Sequence, residues 1–202
     1  MLTCFWFPQT SSITAWSPLA QGKIAKDATI RAIGEVEYVE QPCATVPELA
    51  AVRRAVDVPI AADESIRKAD DPYRVVAADA ADVAIVKVAP LGGMRATLAL
   101  AESIGLPVVV SSALDSAVGM AAGVAAAAAL PALDHACGLG TGTLFTADVT
   151  EPFLPLAGVV TPRWFAHDLD LPIGVRAPAD RDRWWRERLT RCHAILAARS
   201  GR

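Results

Sequence analysis

Residues 36–40 read VEYVE, residues 58–63 read VPIAAD, and residues 83–87 read VAIVK. Each stretch is short and apolar and lacks strict polar alternation, which is typical of strands buried on both faces of a parallel sheet. Each ends in an ionisable residue, and successive ends lie 23 and 24 residues apart. Ser111, after VVV, and His135, within DHA, continue the spacing. This fixed period predicts a repeated strand–helix unit.

Helical signals fill the intervals between these strand ends. Thr45 and Glu48 form a capping-box pattern ahead of an apolar stripe at helical spacing. Asp71, which precedes a proline, is predicted to be the N-cap of the next helix. Residues 93–104 and 116–129 are predicted to form two more helices.

Parallel strands need a crossover helix, so five such units from Glu40 onward fit either a βα barrel or a doubly wound open sheet. Every strand places its polar residue at its carboxyl end, where a barrel builds its site from many strands. An open sheet would concentrate these residues at one switch point. We therefore predict an α/β fold that forms part of a (β/α)8 barrel.

The 202-residue chain is 53% hydrophobic and 20% charged and has a formal net charge of −3. These values fit one ordinary globular domain and argue against a disordered or nucleic-acid-binding protein. No apolar stretch is strong enough to span a bilayer, and the first residues lack the basic region of an export signal. No C-x-x-C spacing occurs among the cysteines, which we expect to be reduced in the cytoplasm: Cys4, Cys43, Cys137 and Cys192.

Glu40, Asp63 and Lys87 end three consecutive strands and would converge on one pocket of a barrel. Two carboxylates on neighbouring strands suit a hard cation such as Mg²⁺, and a lysine beside them could act as a base. The alternative is a salt-bridged cluster of polar strand ends at the solvent boundary, and the spacing alone does not separate the two interpretations.

The sequences at the strand ends resemble those of the muconate-lactonizing subgroup of the enolase superfamily. Within that subgroup they are most similar to the o-succinylbenzoate synthases of actinobacteria. The resemblance covers about residues 34–200 and rests on five motifs: VEYVEQPC, PIAADES, IVKVAPLGG, SSALDSAVG and DHACGLGTG. It implies barrel strands of about 4 to 8, without the amino-terminal capping domain. It also implies that Glu40 and Asp63 bind Mg²⁺ and that Lys87, on the sixth strand, is catalytic.

The activity that this resemblance implies is a dehydration, a carbon–oxygen lyase reaction of menaquinone biosynthesis on a small carboxylate substrate. The seventh and eighth strand ends would then hold the substrate through hydroxyl and backbone N–H groups: Ser111, Ser112, Gly138 and Gly140. Serine and glycine are also common turn formers, so a purely structural role stays open for these four residues.

Residues 1–33 depart from the family pattern. Family members carry a lysine pair on the second strand and a metal ligand on the third, which is expected near Ala15, but residues 1–26 contain no acidic residue. Residues 13–35 instead resemble an aldo-keto reductase segment, WSPLAQGK. We interpret residues 1–33 as a foreign segment joined to a family domain at residues 34–202, the alternative being a dehydratase with a shortened front.

Three further features are predicted to be structural. His135, beside Asp134, is expected to be a satisfied structural histidine, and Arg67 with Lys68 to be solvated loop charge. The segment from Asp180 onward is predicted to form an amphipathic helix packed on the body through Trp185, Leu189, Cys192 and Leu196.

Two rival functions remain at this stage. An N-acylamino acid racemase of the same superfamily would share the metal and lysine positions. A non-catalytic fragment would complete its barrel with another chain, since missing strands expose sheet edges through which self-association is expected.

Overall fold

The computed structural model describes residues 4–5, 13–14, 36–165 and 172–200. Its strands are β1 (Cys4–Phe5), β2 (Ile13–Thr14), β3 (Val39–Glu40), β4 (Ile60–Ala62), β5 (Val83–Val86), β6 (Val108–Val110) and β7 (Val159–Val160). Its α-helices are α1 (Val46–Arg53), α2 (Asp71–Ala77), α3 (Met94–Ile104), α4 (Ala117–Ala129) and α5 (Ala179–Ser200). Two short 3₁₀ helices span Thr141–Leu144 and Ile173–Val175. The predicted segment at residues 15–33, including the expected ligand position at Ala15, lies outside the described residues.

One parallel sheet organises the chain, with the strand order β2-β3-β4-β5-β6. Strands β3 to β6 are consecutive in sequence and each is followed by a helix, as the period predicts. Strand β2 pairs with β3 so that Thr14 lies opposite Glu40 in the register. A separate antiparallel pair joins β1 to β7.

Helices α1 to α4 contribute buried side chains to the core on one face of this sheet. That core contains the outward-facing strand residues Val39, Ile60, Ala62, Ala84, Val86, Val108 and Val110. The alternate strand residues form a second, smaller cluster on the opposite face: Tyr38, Ala61, Val83, Ile85 and Val109. A doubly wound sheet carries helices on both faces, whereas a barrel keeps them on its outside. The described helices follow the barrel arrangement, and we call the opposite face the inner face.

Local signals set the helix ends. Thr45 and Glu48 form the predicted capping box, in which the Thr45 hydroxyl accepts a hydrogen bond from the Glu48 backbone N–H. The predicted N-cap at Asp71 is wrong by one position, because Asp70 precedes the helix and Asp71 is its first residue. The Asp71 carboxylate instead accepts hydrogen bonds from the backbone N–H groups of Arg67 and Lys68, which fixes the loop after β4.

The fifth predicted strand end, at His135, is also wrong. No strand forms at residues 134–136. The chain rejoins the sheet at Gly138, which bridges Ser111 in parallel and donates its backbone N–H to the Val110 carbonyl at 2.9 Å. The His135 ring pairs with the Glu37 carboxylate and packs edge-on against Tyr38, so it is held by partners, as a structural histidine should be.

The carboxyl-terminal helix corrects a further prediction. Helix α5 forms where predicted, but its expected packing stripe is exposed along its length: Trp185, Leu189, Cys192 and Leu196. Leu189 and Leu196 are 67% and 60% exposed, which excludes a core role for them in this structure. Among the described helices, none combines the length and the apolar character that crossing a bilayer requires.

Gly138 should not tolerate a larger side chain. A Cβ at this position would lie 2.7 Å from the Ser111 Oγ and 3.2 Å from its Cβ, so Ser111 would have to shift to accommodate it. We expect Gly138→Ala to lower the free energy of unfolding by about 1–3 kcal/mol, the usual cost of overpacking. Urea denaturation measures this change.

Gly174→Ala is the matched control, because an added Cβ there meets nothing within 4 Å. It should leave the unfolding free energy nearly unchanged. Equal stability of the two variants would show that the close approach of Gly138 to Ser111 does not constrain the fold.

Candidate active site

The inner face brings three ionisable side chains together. Glu40 ends β3, Asp63 follows β4 directly, and Lys87 follows β5 directly. Side chains alternate along a strand, so these residues share the inner face with Tyr38, Ala61 and Ile85 of the smaller apolar cluster. The strands thus place all three at their carboxyl ends, on one side of the sheet.

Lys87 and Asp63 form a buried ion pair. The Lys87 ammonium donates hydrogen bonds to both carboxylate oxygens of Asp63. The two side chains are only 9% and 7% exposed. Removing one partner of such a pair leaves an uncompensated buried charge, which typically costs about 3–5 kcal/mol. The position of each side chain therefore depends on the other.

Glu40 has an unusual protonation equilibrium. Burial raises the pKa of its carboxyl to about 7, helped by a hydrogen bond to Asp63 and by the negative charge of Asp63, and opposed by the positive charge of Lys87. Asp63 therefore contacts both Glu40 and Lys87. At pH 7 the Glu40 carboxyl is therefore about half protonated, whereas an ordinary glutamate is almost fully ionised.

Arg67 lies closer to the site than its sequence context predicts. Its Nη1 is 3.5 Å from Asp63 Oδ1 and its Nη2 is 3.1 Å from Glu64 Oε1. The prediction of solvated loop charge is therefore wrong for Arg67, although Lys68 is exposed. The only sequence signal for this ion pair is the four-residue spacing of Asp63 and Arg67. That spacing brings the two side chains together only if a tight turn follows the strand.

The serines and glycines of the seventh and eighth units separate into two groups. Alternation places Ser111 on the inner face with Val109, next to β5, where its backbone N–H bonds to the Val86 carbonyl. Gly138 lies beside Ser111 across the parallel bridge. Ser111 therefore borders β5, which leads to Lys87, whereas Gly138 lies on the side of Ser111 away from β5.

Ser112 and Gly140 are occupied by structural contacts. The Ser112 hydroxyl donates to the Gly138 carbonyl at 3.0 Å and lies 2.7 Å from the Thr141 hydroxyl. Gly140 precedes the 3₁₀ helix and accepts hydrogen bonds from Thr143. Binding of substrate by any of the four residues stays a prediction, and the geometry favours Ser111 and Gly138 over the other two.

The carboxylate oxygens at this site are suitable ligands for a hard divalent cation. Glu40 and Asp63 offer carboxylate oxygens at adjacent strand ends, the ligands that Mg²⁺ prefers. In the part of the chain that the structure describes, no cluster of three or more acidic, histidine or cysteine ligands occurs. The described residues can thus supply two anionic ligands to such an ion.

The sequence matches a known protein family. Residues 15–163 match the family model described as the enolase C-terminal domain-like family. The chain belongs to this family. The matched range starts ahead of the predicted boundary at residue 34, which stays a prediction.

Individual proteins show the same relationship. The o-succinylbenzoate synthase of Mycobacterium ulcerans is 58% identical over 172 residues, which cover 85% of this chain and 53% of that protein. A muconate cycloisomerase structure from Pseudomonas fluorescens superimposes with a TM-score of 0.64 at 28% identity, covering 70% of this chain and 41% of that one.

A third match is an enolase structure from Pseudomonas fluorescens Pf0-1 with bound magnesium, potassium and tartrate. It aligns with a TM-score of 0.54 at 25% identity over 61% of this chain and 29% of its own length. The chain spans about half the length of the curated relatives it matches. The α/β barrel fold and the membership of an enzyme superfamily follow from these matches.

The raised pKa of Glu40 makes stability depend on pH. The folded pKa of about 7 exceeds the ordinary glutamate pKa of 4.5, so between these values the folded state binds more protons than the unfolded state. The metal-free chain should therefore lose stability as pH rises from about 4.5 to about 7. Glu40→Gln, which stays neutral throughout, should flatten this part of the profile, as urea denaturation at several pH values would measure.

Glu48→Gln is the control, because Glu48 is exposed and lies in the capping box away from the inner face. It should keep the wild-type slope. An unchanged slope in Glu40→Gln would contradict the burial of a protonated Glu40.

Proposed function

We propose that this chain carries the active-site half of the barrel of a Mg²⁺-dependent o-succinylbenzoate synthase, a carbon–oxygen lyase that dehydrates its substrate. The observation that carries the proposal is that Asp63 contacts both Glu40 and Lys87. The identity of 58% to a protein named for this reaction supports the choice of substrate class.

Glu40 and Asp63 are the proposed ligands of Mg²⁺. When bound, the ion supplies electrostatic stabilisation of negative charge on a substrate carboxylate. The related structure with bound magnesium supports this choice of ion. Lys87 already donates hydrogen bonds to both oxygens of Asp63. At least one of these hydrogen bonds would have to break for Asp63 to bind a cation.

Lys87 is the proposed proton-transfer group. Dehydration removes a proton from the carbon next to a carboxylate and releases a hydroxyl from the neighbouring carbon as water, with no net change in oxidation state. A lysine held in a largely dry site can carry the proton between these positions. Ser111, through its hydroxyl, and Gly138, through its approach to that residue, are proposed to border the substrate.

The cellular context belongs to the same proposal. The reaction would serve menaquinone biosynthesis in the cytoplasm, with a small carboxylate as the only required partner besides Mg²⁺.

Metal binding and proton transfer should separate by mutation. Asp63→Asn replaces an anionic ligand by a neutral amide and should weaken Mg²⁺ binding roughly tenfold or more. Lys87→Met should bind Mg²⁺ at least as tightly as the wild type, because the competing ammonium is gone, yet it should lose turnover by about 10²- to 10⁴-fold. Isothermal titration calorimetry and a dehydration assay measure the two effects.

Lys68→Met is the control for lysine removal, since Lys68 is exposed and its described contact runs through its backbone. It should match the wild type in both assays. Weaker Mg²⁺ binding in Lys87→Met than in Asp63→Asn would contradict the proposed division of roles.

Completing the ligand set should raise activity. The described residues supply two carboxylates, so the 202-residue chain is expected to turn over slowly. Fusing the amino-terminal half of the Mycobacterium ulcerans relative ahead of Gly34 should raise dehydration and tighten Mg²⁺ binding together. Turnover of the unfused chain equal to that of the fusion would contradict this expectation, and a folded fusion that accepts only N-acylamino acids would favour the racemase.

A further inference from the structure

Gln41 occupies an unusual position directly after Glu40. Its backbone φ is +40°, a left-handed conformation that is uncommon for a residue with a side chain. The residue is 9% exposed, and its backbone N–H donates to the Ala61 carbonyl at 2.8 Å. A strained, buried polar residue between two strand ends needs compensating contacts.

The Gln41 amide uses all its hydrogen-bonding capacity on the loops that follow β3 and β4. Its Oε1 accepts from the backbone N–H groups of Asp63, at 2.9 Å, and Ser65, at 3.2 Å. Its Nε2 donates to the Cys43 carbonyl and to the Ser65 hydroxyl, both at 2.8 Å. A glutamine amide has two acceptor and two donor sites, so none remains free.

These partners fix the orientation of the amide. The two backbone N–H groups require an oxygen, and the Cys43 carbonyl requires an N–H donor, so a flipped amide would face like groups at three contacts. The side chain therefore ties the backbone of Asp63 to the segment that carries Glu40. None of these four hydrogen bonds reaches a helix.

We propose that Gln41 is a positioning residue that sets the separation of the Glu40 and Asp63 carboxylates, so that one divalent cation can bind both. This inference rests on the proposed function, because it assumes that these two carboxylates share the ion. Gln41 acts through the Asp63 backbone and does not touch the ion or the substrate.

The test compares Gln41→Met with the wild-type chain. Methionine keeps the length and the Cβ of glutamine but removes all four side-chain hydrogen bonds. We expect Mg²⁺ affinity, measured by calorimetry, to fall roughly 10- to 100-fold, the usual effect of losing a residue that orients a ligand. In the metal-free protein, hydrogen exchange at the Asp63 and Ser65 amides should become faster, whereas the Ile66 amide, bonded to the Asp63 carbonyl, should change less.

Asp82→Ala is the matched control at the opposite end of β4. The Asp82 carboxylate accepts a hydrogen bond from the Ile60 N–H and pairs with Arg53, so its loss loosens β4 at the end remote from Asp63. This variant should lose stability without changing Mg²⁺ affinity by more than about twofold. Ser65→Ala removes one of the four contacts and should fall between the wild type and Gln41→Met.

The outcomes distinguish failure of the positioning role of Gln41 from failure of the proposed metal site. If Gln41→Met and Asp82→Ala weaken Mg²⁺ binding equally, or if the Asp63 and Ser65 amides keep their protection in Gln41→Met, the positioning role is overturned. If the wild-type chain binds no Mg²⁺, the proposed metal site fails. In that case selective loss of protection at the two amides still supports Gln41 as the residue that positions Asp63.

Discussion

The inner-face cluster is governed by the cost of burying charge. An ion removed from water without a partner costs several kcal/mol, even after the protein relaxes around it. Lys87 and Asp63 meet that cost by pairing, and Glu40 meets it by holding a proton up to a pH of about 7. These arrangements require three strand ends to stay within contact distance. The sheet register and the loops that leave it are therefore constrained by electrostatics as well as by packing.

One face of the sheet provides most of the apolar packing, and the other carries the ionisable side chains. The helix-covered face buries a large continuous set of apolar side chains, each fully buried valine or isoleucine contributing about 1.5–3 kcal/mol. The inner face has a much smaller apolar cluster of five described residues. Stability from the first face allows the second to hold a strained Gln41 and a proton-binding Glu40, which an isolated sheet could not support.

Local sequence predicted the parts of this fold that local physics determines. The period placed β3 to β6, and the Thr45 capping box placed the start of α1. Strand parity then brought Glu40, Asp63 and Lys87 together, because residues at the carboxyl ends of parallel strands have few other positions. The failures involve tertiary context: the bridge at Gly138 depends on close approach to Ser111, and the exposure of α5 depends on what surrounds it. Gln41 and Arg67 depend on loop conformations that no periodicity encodes.

The proton on Glu40 and the ammonium of Lys87 both reduce the cost of burying carboxylate charge. Two carboxylates lie together where water is scarce, and each cation equivalent that reaches them lowers the free energy of the cluster. Below a pH of about 7 a proton on Glu40 serves this purpose, and a divalent cation serves it with greater charge. A proton and Mg²⁺ should therefore compete for the same oxygens, since metal ligands must be deprotonated to bind. The pKa of Glu40, which burial raises most, should therefore fall when the proposed cation binds.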